Sequence, residues 1–423
     1  MNAPVNIKPD LNPPELDLRC SEELAARAKT RVAGFTQSMM KRPDQFAPGR
    51  FPIYLEQGNG AEVTDVDGNL YVDYVCGLGA NTLGHNHPAV TKAIQDSLQR
   101  GIIHSLPAPI EVDVADLLCE IIPNGEHVRF FKTGADANSA AVRLARAVTG
   151  REKIVTVGYN GWHDHYQFDT PGVPAVLQDY TFRMPLFTPA DEAPLLDLVK
   201  QHHAELALVL LSVPYNRVLN AEFLQQLREL CRQHDVLFVI DEVVTGFRLA
   251  LGGAQEFFGV DADLVTLSKG IAAGMPLSAV VGRADLMGEM EKLQVSTTFG
   301  GEMLSLEVCR AALCTYRDTD GIARMAELGR RLRDGVNRVS AQIGTPLKVV
   351  GYDPIPMFLF APNPQEHLRF APDFIAGMAR RGVLLRREVN FISLAHTEAQ
   401  IDATIQATAE TLTEMQANGF FDQ

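Results

Sequence analysis

The stretch that decides the fold is residues 236–274, VLFVIDEVVTGFRLALGGAQEFFGVDADLVTLSKGIAAG. It contains two short apolar runs, residues 236–240 and 264–267, and each run leads to an ionisable residue. Runs of this length and composition, bounded by turn residues, are typical of strands buried in a parallel sheet. Ligands of open α/β sheets bind beyond the carboxyl ends of such strands, so we expect Asp241 and Lys269 to face one crevice.

Asp241 and Lys269 are two residue types that together suit the cofactor pyridoxal 5′-phosphate (PLP). A lysine amine condenses with the aldehyde of this cofactor, and a carboxylate pairs with its pyridinium nitrogen. A buried Asp–Lys ion pair with no cofactor would produce the same sequence pattern. These two residues alone therefore leave both interpretations open.

Length, charge and cysteine usage exclude several classes of protein. The chain has 423 residues, which predicts two domains or lobes, and its net charge of −14 disfavours nucleic acid or an anionic membrane as a partner. Six cysteines without a CxxC pair predict reduced thiols in a cytoplasmic protein. No signal peptide is expected, and no apolar stretch is long enough to predict a membrane span.

A second candidate site is the turn KTGADA, residues 132–137, which lies between a predicted strand and a predicted helix. The free N–H groups at a helix N-terminus bind anions, so Thr133, Gly134 and Ala135 are candidates to bind a phosphate. An ordinary strand-to-helix turn has the same appearance. The aromatic residues of GYNGWHDHYQF, residues 158–168, could stack on a planar ring, with partly buried aromatic side chains as the alternative.

Metal and nicotinamide sites are not predicted. The histidines of residues 85–87 and 163–165 are spaced by two, which is poor for a shared helix face, and the D-x-D-G of residues 65–68 has its glycine at the wrong position for a calcium loop. No G-x-G-x-x-G follows a predicted strand, which disfavours a nicotinamide-dependent dehydrogenase.

Four segments resemble the class III aminotransferases of PLP fold type I, within the branch that contains glutamate-1-semialdehyde 2,1-aminomutase. They are residues 128–154, 158–166, 238–282 and 297–313. The resemblance implies an α/β fold with a large domain whose mostly parallel seven-stranded sheet is flanked by helices. It also implies a smaller α+β domain. We expect the large domain at residues 76–315 and the small domain at residues 316–423, with residues 1–75 packing on the small domain.

The resemblance also implies roles for individual residues. Lys269 is the expected Schiff-base lysine and Asp241 the expected partner of the pyridine nitrogen. The other expected cofactor-binding residues are Thr133, Gly134 and Ala135 in the phosphate turn, Tyr159 and Val243 against the ring, Asn216 near the phenolic oxygen, and Thr298. A threonine at position 298 reaches the phosphate of the neighbouring subunit in this family, which implies a homodimer with shared active sites.

The departures from the family pattern affect the expected reaction. The phosphate turn S-G-T-E-A reads T-G-A-D-A, Y-H-G reads Y-N-G, and the aminomutase motif T-x-S-G-N reads T-F-G-G-E at residues 298–302. These changes favour an aminotransferase that moves an amino group between an amino acid, amine or amino sugar and an oxo acceptor by a ping-pong mechanism. An aminomutase and a non-catalytic PLP-fold binding module are the alternatives.

The substrate-binding residues are the least determined by the sequence. Arg50, Arg386 and Arg387 are candidates to bind a carboxylate or phosphate, because the planar guanidinium forms bidentate contacts. Surface charge is the alternative for each of them. Glu302 is a candidate to contact an amine or hydroxyl, with capping of a helix as its alternative, and Trp162 is a candidate to contact the substrate.

Overall fold

The computed structural model describes residues 13–421. Within them it contains the strands β1 (Leu55–Asn59), β2 (Glu62–Asp65), β3 (Leu70–Asp73), β4 (His127–Phe131), β5 (Lys153–Val157), β6 (Thr181–Met184), β7 (Leu206–Ser212), β8 (Leu237–Asp241), β9 (Leu264–Leu267), β10 (Ser278–Gly282), β11 (Lys348–Tyr352), β12 (Ile355–Leu359) and β13 (Val383–Leu384). The helices are α1 (Arg19–Arg31), α2 (Cys76–Gly79), α3 (Pro88–Leu98), α4 (Pro109–Ile121), α5 (Gly134–Thr149), α6 (Glu192–His202), α7 (Ala221–Gln233), α8 (Gly253–Phe258), α9 (Ala284–Met287), α10 (Met303–Asp318), α11 (Gly321–Ile343), α12 (Pro364–Leu368), α13 (Ala371–Arg380) and α14 (Glu398–Ala417).

The chain forms two compact units. Among the described residues, the larger unit contains residues 79–83 and 87–326, and the smaller unit contains residues 13–78, 84–86 and 327–421. The N-terminal segment assigned above to residues 1–75 begins with residues 1–12, which lie outside the described residues.

The larger unit is built on a seven-stranded sheet in the order β4-β10-β9-β8-β7-β5-β6. The strands β5, β6, β7, β8 and β9 pair in parallel, and β10 runs antiparallel to both of its neighbours, β4 and β9. This arrangement confirms the predicted mostly parallel sheet of seven strands. It also places the carboxyl ends of β8 and β9 side by side.

The central strands are buried along their whole length. Every residue of β7, β8 and β9 is buried, as the continuous runs of Leu, Val, Ile and Phe in the sequence predict. Helix α5 packs on the sheet with the small residues Ala137, Ala140, Ala141 and Ala145, all of which are buried in the core. Because alanine has no side chain beyond Cβ, the axis of α5 lies close to the sheet and its N-terminus is fixed relative to the strand ends.

The smaller unit contains a four-stranded sheet, β1-β2-β3-β13, and the hairpin β11-β12. Strands β2 and β3 pair antiparallel on either side of a turn that contains Gly68, and β3 pairs in parallel with β13. The Asp67 carboxylate accepts hydrogen bonds from the amides of Cys20 and Ser21 at 2.6 and 3.1 Å. This aspartate therefore connects the turn between β2 and β3 to α1.

The two histidines of residues 85–87 have separate structural roles. His85 Nε2 lies 3.0 Å from Asp73 Oδ2, and His87 Nδ1 accepts a hydrogen bond from Ala89 N at the start of α3. Across residues 13–421, no cluster of three or more His, Cys, Asp or Glu side chains is arranged to hold a metal ion. Over the same residues, no helix combines the length and the apolar composition that a membrane span requires.

Candidate active site

Asp241 and Lys269 lie at the carboxyl ends of neighbouring parallel strands. Asp241 is the last residue of β8 and is paired with Thr266 of β9, three residues before Lys269. Lys269 begins a short 3₁₀ turn, residues 269–272, and has a positive φ of 46°. The positive charge of Lys269 is one of the influences on the pKa of Asp241. The structure thus brings the two predicted catalytic residues to one edge of the sheet.

The Asp241 carboxylate is buried and is bound by three N–H donors. Asn138 Nδ2 and Asn160 Nδ2 donate to its Oδ2 at 2.8 and 2.9 Å, and the amide of Val243 donates to its Oδ1 at 3.0 Å. Burial raises the pKa of Asp241, while the two asparagines, the Val243 amide and the charge of Lys269 oppose that rise. The donors favour the ionised carboxylate, because each hydrogen bond is made to the charged form.

The predicted phosphate turn is a capped helix N-terminus. Thr133 is the N-cap of α5: its Oγ1 accepts from the Asp136 amide at 3.2 Å, and the Asp136 carboxylate accepts from the Thr133 amide at 2.9 Å. The first main-chain bond of the helix runs from Ala137 N to Thr133 O. The N–H groups of Gly134 and Ala135 therefore precede the helical ladder and, with the helix dipole, suit an anion.

Close packing connects this turn to the end of β8. A Cβ atom on Gly134 would lie 2.8 Å from Val243 Cγ2 and 3.6 Å from Ser268 Cβ, so a larger residue at 134 would collide with Val243. A Cβ atom on Gly161 would lie 2.7 Å from Ala135 Cβ. The glycines thus let three segments meet: the phosphate turn, the loop after β5, and the segment that follows β8.

The loop after β5 carries exposed aromatic residues. Tyr159 and Trp162 are 69% and 70% exposed, and the Trp162 ring packs edge-on against His163. Burial and, to a lesser degree, the charge of Asp241 raise the pKa of the Tyr159 hydroxyl. Tyr159 is therefore close enough to feel the charge of the Asp241 carboxylate. The sequence predicts that both residues contact the cofactor ring.

Two buried side chains that the sequence did not point to support the Lys269 turn. Tyr316 OH donates to Gly270 O at 2.8 Å. Arg248, which is fully buried, donates to Val244 O at 2.8 Å, to Thr82 Oγ1 at 3.1 Å and to Gly79 O. A Cβ on Gly270 would lie 2.9 Å from Thr82 Oγ1, so the turn rests directly on this cluster.

Two other predicted site residues, Asn216 and Glu302, form hydrogen bonds within the protein. Asn216 Nδ2 donates to Phe187 O at 2.9 Å. Glu302 is the N-cap of α10: its carboxylate accepts from Leu304 N and Ser305 N and pairs with Lys132 Nζ at 2.7 Å. Glu302 therefore caps a helix, which was the alternative to its predicted contact with a substrate amine or hydroxyl.

The arginine candidates lie in the smaller unit. Arg50 pairs with Asp373 at 2.7 Å, and Arg387 donates to the carbonyls of Asp44 and Phe46. The Nε atoms of Arg386 and Arg387 are buried and donate to no acceptor among the described residues. Burial lowers the pKa of both guanidinium groups.

The side-chain oxygen of Asn160, at the carboxyl edge of the sheet, can accept a hydrogen bond from a further donor. Asn160 Oδ1 is buried and accepts no hydrogen bond within residues 13–421, although its Nδ2 binds Asp241. One region of the larger unit is therefore surrounded by four groups: a lysine, a buried carboxylate, a helix N-terminus and an exposed tyrosine ring. These groups match the aldehyde, the ring nitrogen, the phosphate and the ring face of PLP.

The fold and this site define a PLP-dependent enzyme of fold type I. A sequence profile of the family Aminotransferase class-III matches residues 46–168 and 216–415. The chain belongs to the class III aminotransferases.

Similar proteins include an aminomutase and transaminase-like structures. The glutamate-1-semialdehyde 2,1-aminomutase of Methanosarcina acetivorans is 31% identical over 94% of this chain and 99% of its own length. The FumI protein of Sphingopyxis sp. MTA144, solved in a PLP form, has a TM-score of 0.88 at 25% identity, covering 94% of this chain and 97% of that one. A β-phenylalanine aminotransferase from Variovorax paradoxus has a TM-score of 0.83 at 26% identity, covering 94% of each chain.

Glu242, the residue after Asp241, is buried on the other side of the strand end. Its Oε2 accepts from Thr245 Oγ1 at 2.5 Å and its Oε1 from Gln255 N at 3.2 Å. The carboxylate also packs on Gly253, whose Cβ position would lie 2.6 Å from it. Burial raises the pKa of Glu242 from 4.5 to about 7, and the charge of Asp241 adds to the rise.

This shift predicts a pH dependence of stability. Between the two pKa values Glu242 is protonated in the folded protein and ionised in the unfolded chain, so stability falls as pH rises through that window. The loss amounts to about 3 kcal/mol in total. We expect Glu242→Gln to remove this loss, as measured by urea unfolding at about pH 5 and about pH 8. Glu289→Gln, at a more exposed site, is the control. An unchanged pH dependence in Glu242→Gln would contradict the assignment.

Proposed function

We propose that this protein is an aminotransferase that moves an amino group between a small amino compound and an oxo acceptor by a ping-pong mechanism. The observation that carries the proposal is the placement of Lys269 and a buried, donor-bound Asp241 at neighbouring strand ends. The helix N-terminus at Gly134 and Ala135, next to Val243, supports it with a site for the phosphate.

Each residue has a proposed task. Bound PLP supplies a reactive aldehyde and a ring that accepts electrons. Lys269 Nζ, when neutral, takes a proton from the substrate carbon that bears the amino group and later returns one. Asp241 remains anionic and holds a proton on the ring nitrogen. Thr133, Gly134 and Ala135 bind the phosphate, and Tyr159 and Val243 restrain the two faces of the ring.

The residues at the start of α10 favour an aminotransferase over an aminomutase. Where the aminomutase motif has serine and asparagine, this chain has Gly300 and Glu302. Gly300 offers no side chain, and both oxygens of Glu302 are used by α10 amides, with Lys132 also bound to Oε1. The aminomutase remains the second candidate, because a relative of that name covers nearly the whole chain at 31% identity.

The substrate is proposed only as a class. Amino acids, amines and amino sugars are candidate donors, and the similarity to a β-phenylalanine aminotransferase supports amino acids among them. Contacts of Arg50, Arg387 and Trp162 with a substrate stay predictions, as do a role for Asn216 at the cofactor and a cytoplasmic location.

We also propose a homodimer with shared sites. Thr298 is exposed, and Phe299 beside it is 60% exposed. The amide of Met303 donates to Ile102 O at 2.7 Å, which brings the exposed apolar side chains of Ile102 and Ile103 to the same region. Exposed apolar residues next to a polar residue with a proposed role in trans support burial against a second copy.

The cofactor assignment is tested by the absorption spectrum of the purified protein with PLP. We expect a visible band that borohydride bleaches, because a lysine linkage to PLP is reducible, and we expect Lys269→Ala to lack it. Lys200→Ala, which removes an exposed lysine, is the control and should match the wild type. A wild-type protein that takes up no PLP would support the binding-module alternative and overturn the proposal.

The reaction is tested by separating the two half-reactions. The PLP form is offered a panel of amino acids, amines and amino sugars, and the aminated form a panel of keto acids and aldehydes. An aminotransferase should show parallel lines in double-reciprocal plots and require two substrates. Isomerisation of glutamate 1-semialdehyde without a second substrate would instead establish the aminomutase.

The shared site is tested by mixing two kinds of variant subunit. Thr298→Ala should weaken PLP binding about tenfold, because one hydrogen bond to a charged phosphate is lost. Thr297→Ala, the neighbouring threonine, is the control. Hybrids of Lys269→Ala and Thr298→Ala subunits should regain sites with wild-type PLP affinity and activity, since one site of each hybrid has both residues. Hybrids whose active sites keep the weakened PLP affinity of Thr298→Ala would exclude a contribution in trans.

A further inference from the structure

A buried hydroxyl lies one step behind the amides that bind Asp241. Thr266 is in the middle of β9, is fully buried, and its Oγ1 donates to Asn138 Oδ1 at 2.5 Å. Asn138, also buried, donates from Nδ2 to Asp241 Oδ2 and to Asn160 O, both at 2.8 Å. Thr266 and Asp241 are register partners on β9 and β8, so the sheet fixes their separation.

The direction of these hydrogen bonds determines how Asn138 is oriented. An asparagine amide has an acceptor oxygen on one side and two N–H donors on the other, and the two orientations have nearly the same shape. Asp241 Oδ2 and Asn160 O can only accept, so they require the orientation that points Nδ2 at both, and the Thr266 hydroxyl then holds the amide in place by donating to Oδ1. In that orientation both N–H groups point at acceptors, Asp241 Oδ2 and Asn160 O. The reverse orientation would place an oxygen against the carboxylate.

Asn160 completes the arrangement. Its main-chain carbonyl is held by Asn138, and its side-chain Nδ2 donates to the same Asp241 oxygen at 2.9 Å. The ionisable groups that influence or face Asp241 are Lys269, Tyr159, Tyr166 and Glu242. Neither asparagine titrates, so their contribution to the anionic carboxylate does not change with pH.

We propose that Thr266 is a positioning residue: by binding Asn138 Oδ1, it holds in place the amides that keep Asp241 anionic and so maintains the proton on the ring nitrogen of bound PLP. The proposal rests on the proposed role of Asp241. It predicts that removal of one hydroxyl from the interior of β9 changes the protonation of the cofactor ring, without removal of any group that touches the cofactor.

The experiment uses PLP labelled with ¹⁵N in the ring, because the ¹⁵N chemical shift distinguishes pyridine from pyridinium directly and independently of activity. In Thr266→Val, which is nearly isosteric, we expect the pKa of the ring nitrogen to fall by about one unit, a tenfold change in the protonation constant. Thr266→Ser keeps the hydroxyl and should restore the wild-type titration. Thr181→Val makes the same change at a buried hydroxyl that has no partner in residues 13–421, and is the control.

A double-mutant cycle tests whether Thr266 acts through Asn138. In the background of Asn138→Leu, Thr266→Val should have no further effect on the ring nitrogen, since the amide that it holds in place is gone. Equal effects of Thr266→Val in the wild-type and Asn138→Leu backgrounds would show that Thr266 does not act through Asn138. A wild-type titration of the ring nitrogen in PLP-bound Thr266→Val would overturn the proposal as well. A wild-type protein whose bound PLP shows no pyridinium signal at any pH would instead refute the role of Asp241 itself.

Discussion

The arrangement of the site depends on one buried carboxylate, that of Asp241 at the carboxyl end of β8, remaining charged. Transfer of an ionised carboxylate from water into a protein interior costs several kcal/mol unless donors and an opposite charge compensate. Asp241 obtains that compensation from three elements: Asn138 on α5, Asn160 on the loop after β5, and the main chain after β8. The elements that surround the proposed cofactor site are thus the same ones that make its buried charge tolerable.

The sequence was sufficient for the sheet and for the residues at its edge. Continuous apolar runs predicted β8 and β9, and because parallel strands share a carboxyl edge, the positions of Asp241 and Lys269 followed from strand ends alone. The turn proposed to bind the phosphate was located in the same way, since Thr133 ends a strand-to-helix connection and caps the helix. These features depend on residues that are close together in the chain, and sequence patterns reveal such local relationships.

The supporting residues depend on contacts between distant segments, and sequence patterns do not record them. Asn138 appears in the sequence as an ordinary helix residue, and Thr266 as an ordinary strand residue. Their partnership links positions 128 residues apart. Arg248 has no motif around it that marks a role, yet it is fully buried beneath the Lys269 turn. For Glu302 the ambiguity was real, because a carboxylate that caps a helix and one that binds a substrate have the same sequence appearance.

The contact between Gly134 and Val243 constrains how this active site can change over time. No side chain fits at position 134 while a branched residue occupies position 243, because the added carbon would lie 2.8 Å from a valine methyl group. A larger residue at position 134 is accessible only if the residue at position 243 becomes smaller. A larger residue in the turn proposed to bind the phosphate is therefore expected to occur together with a smaller residue at position 243, so change at position 134 would proceed through paired substitutions.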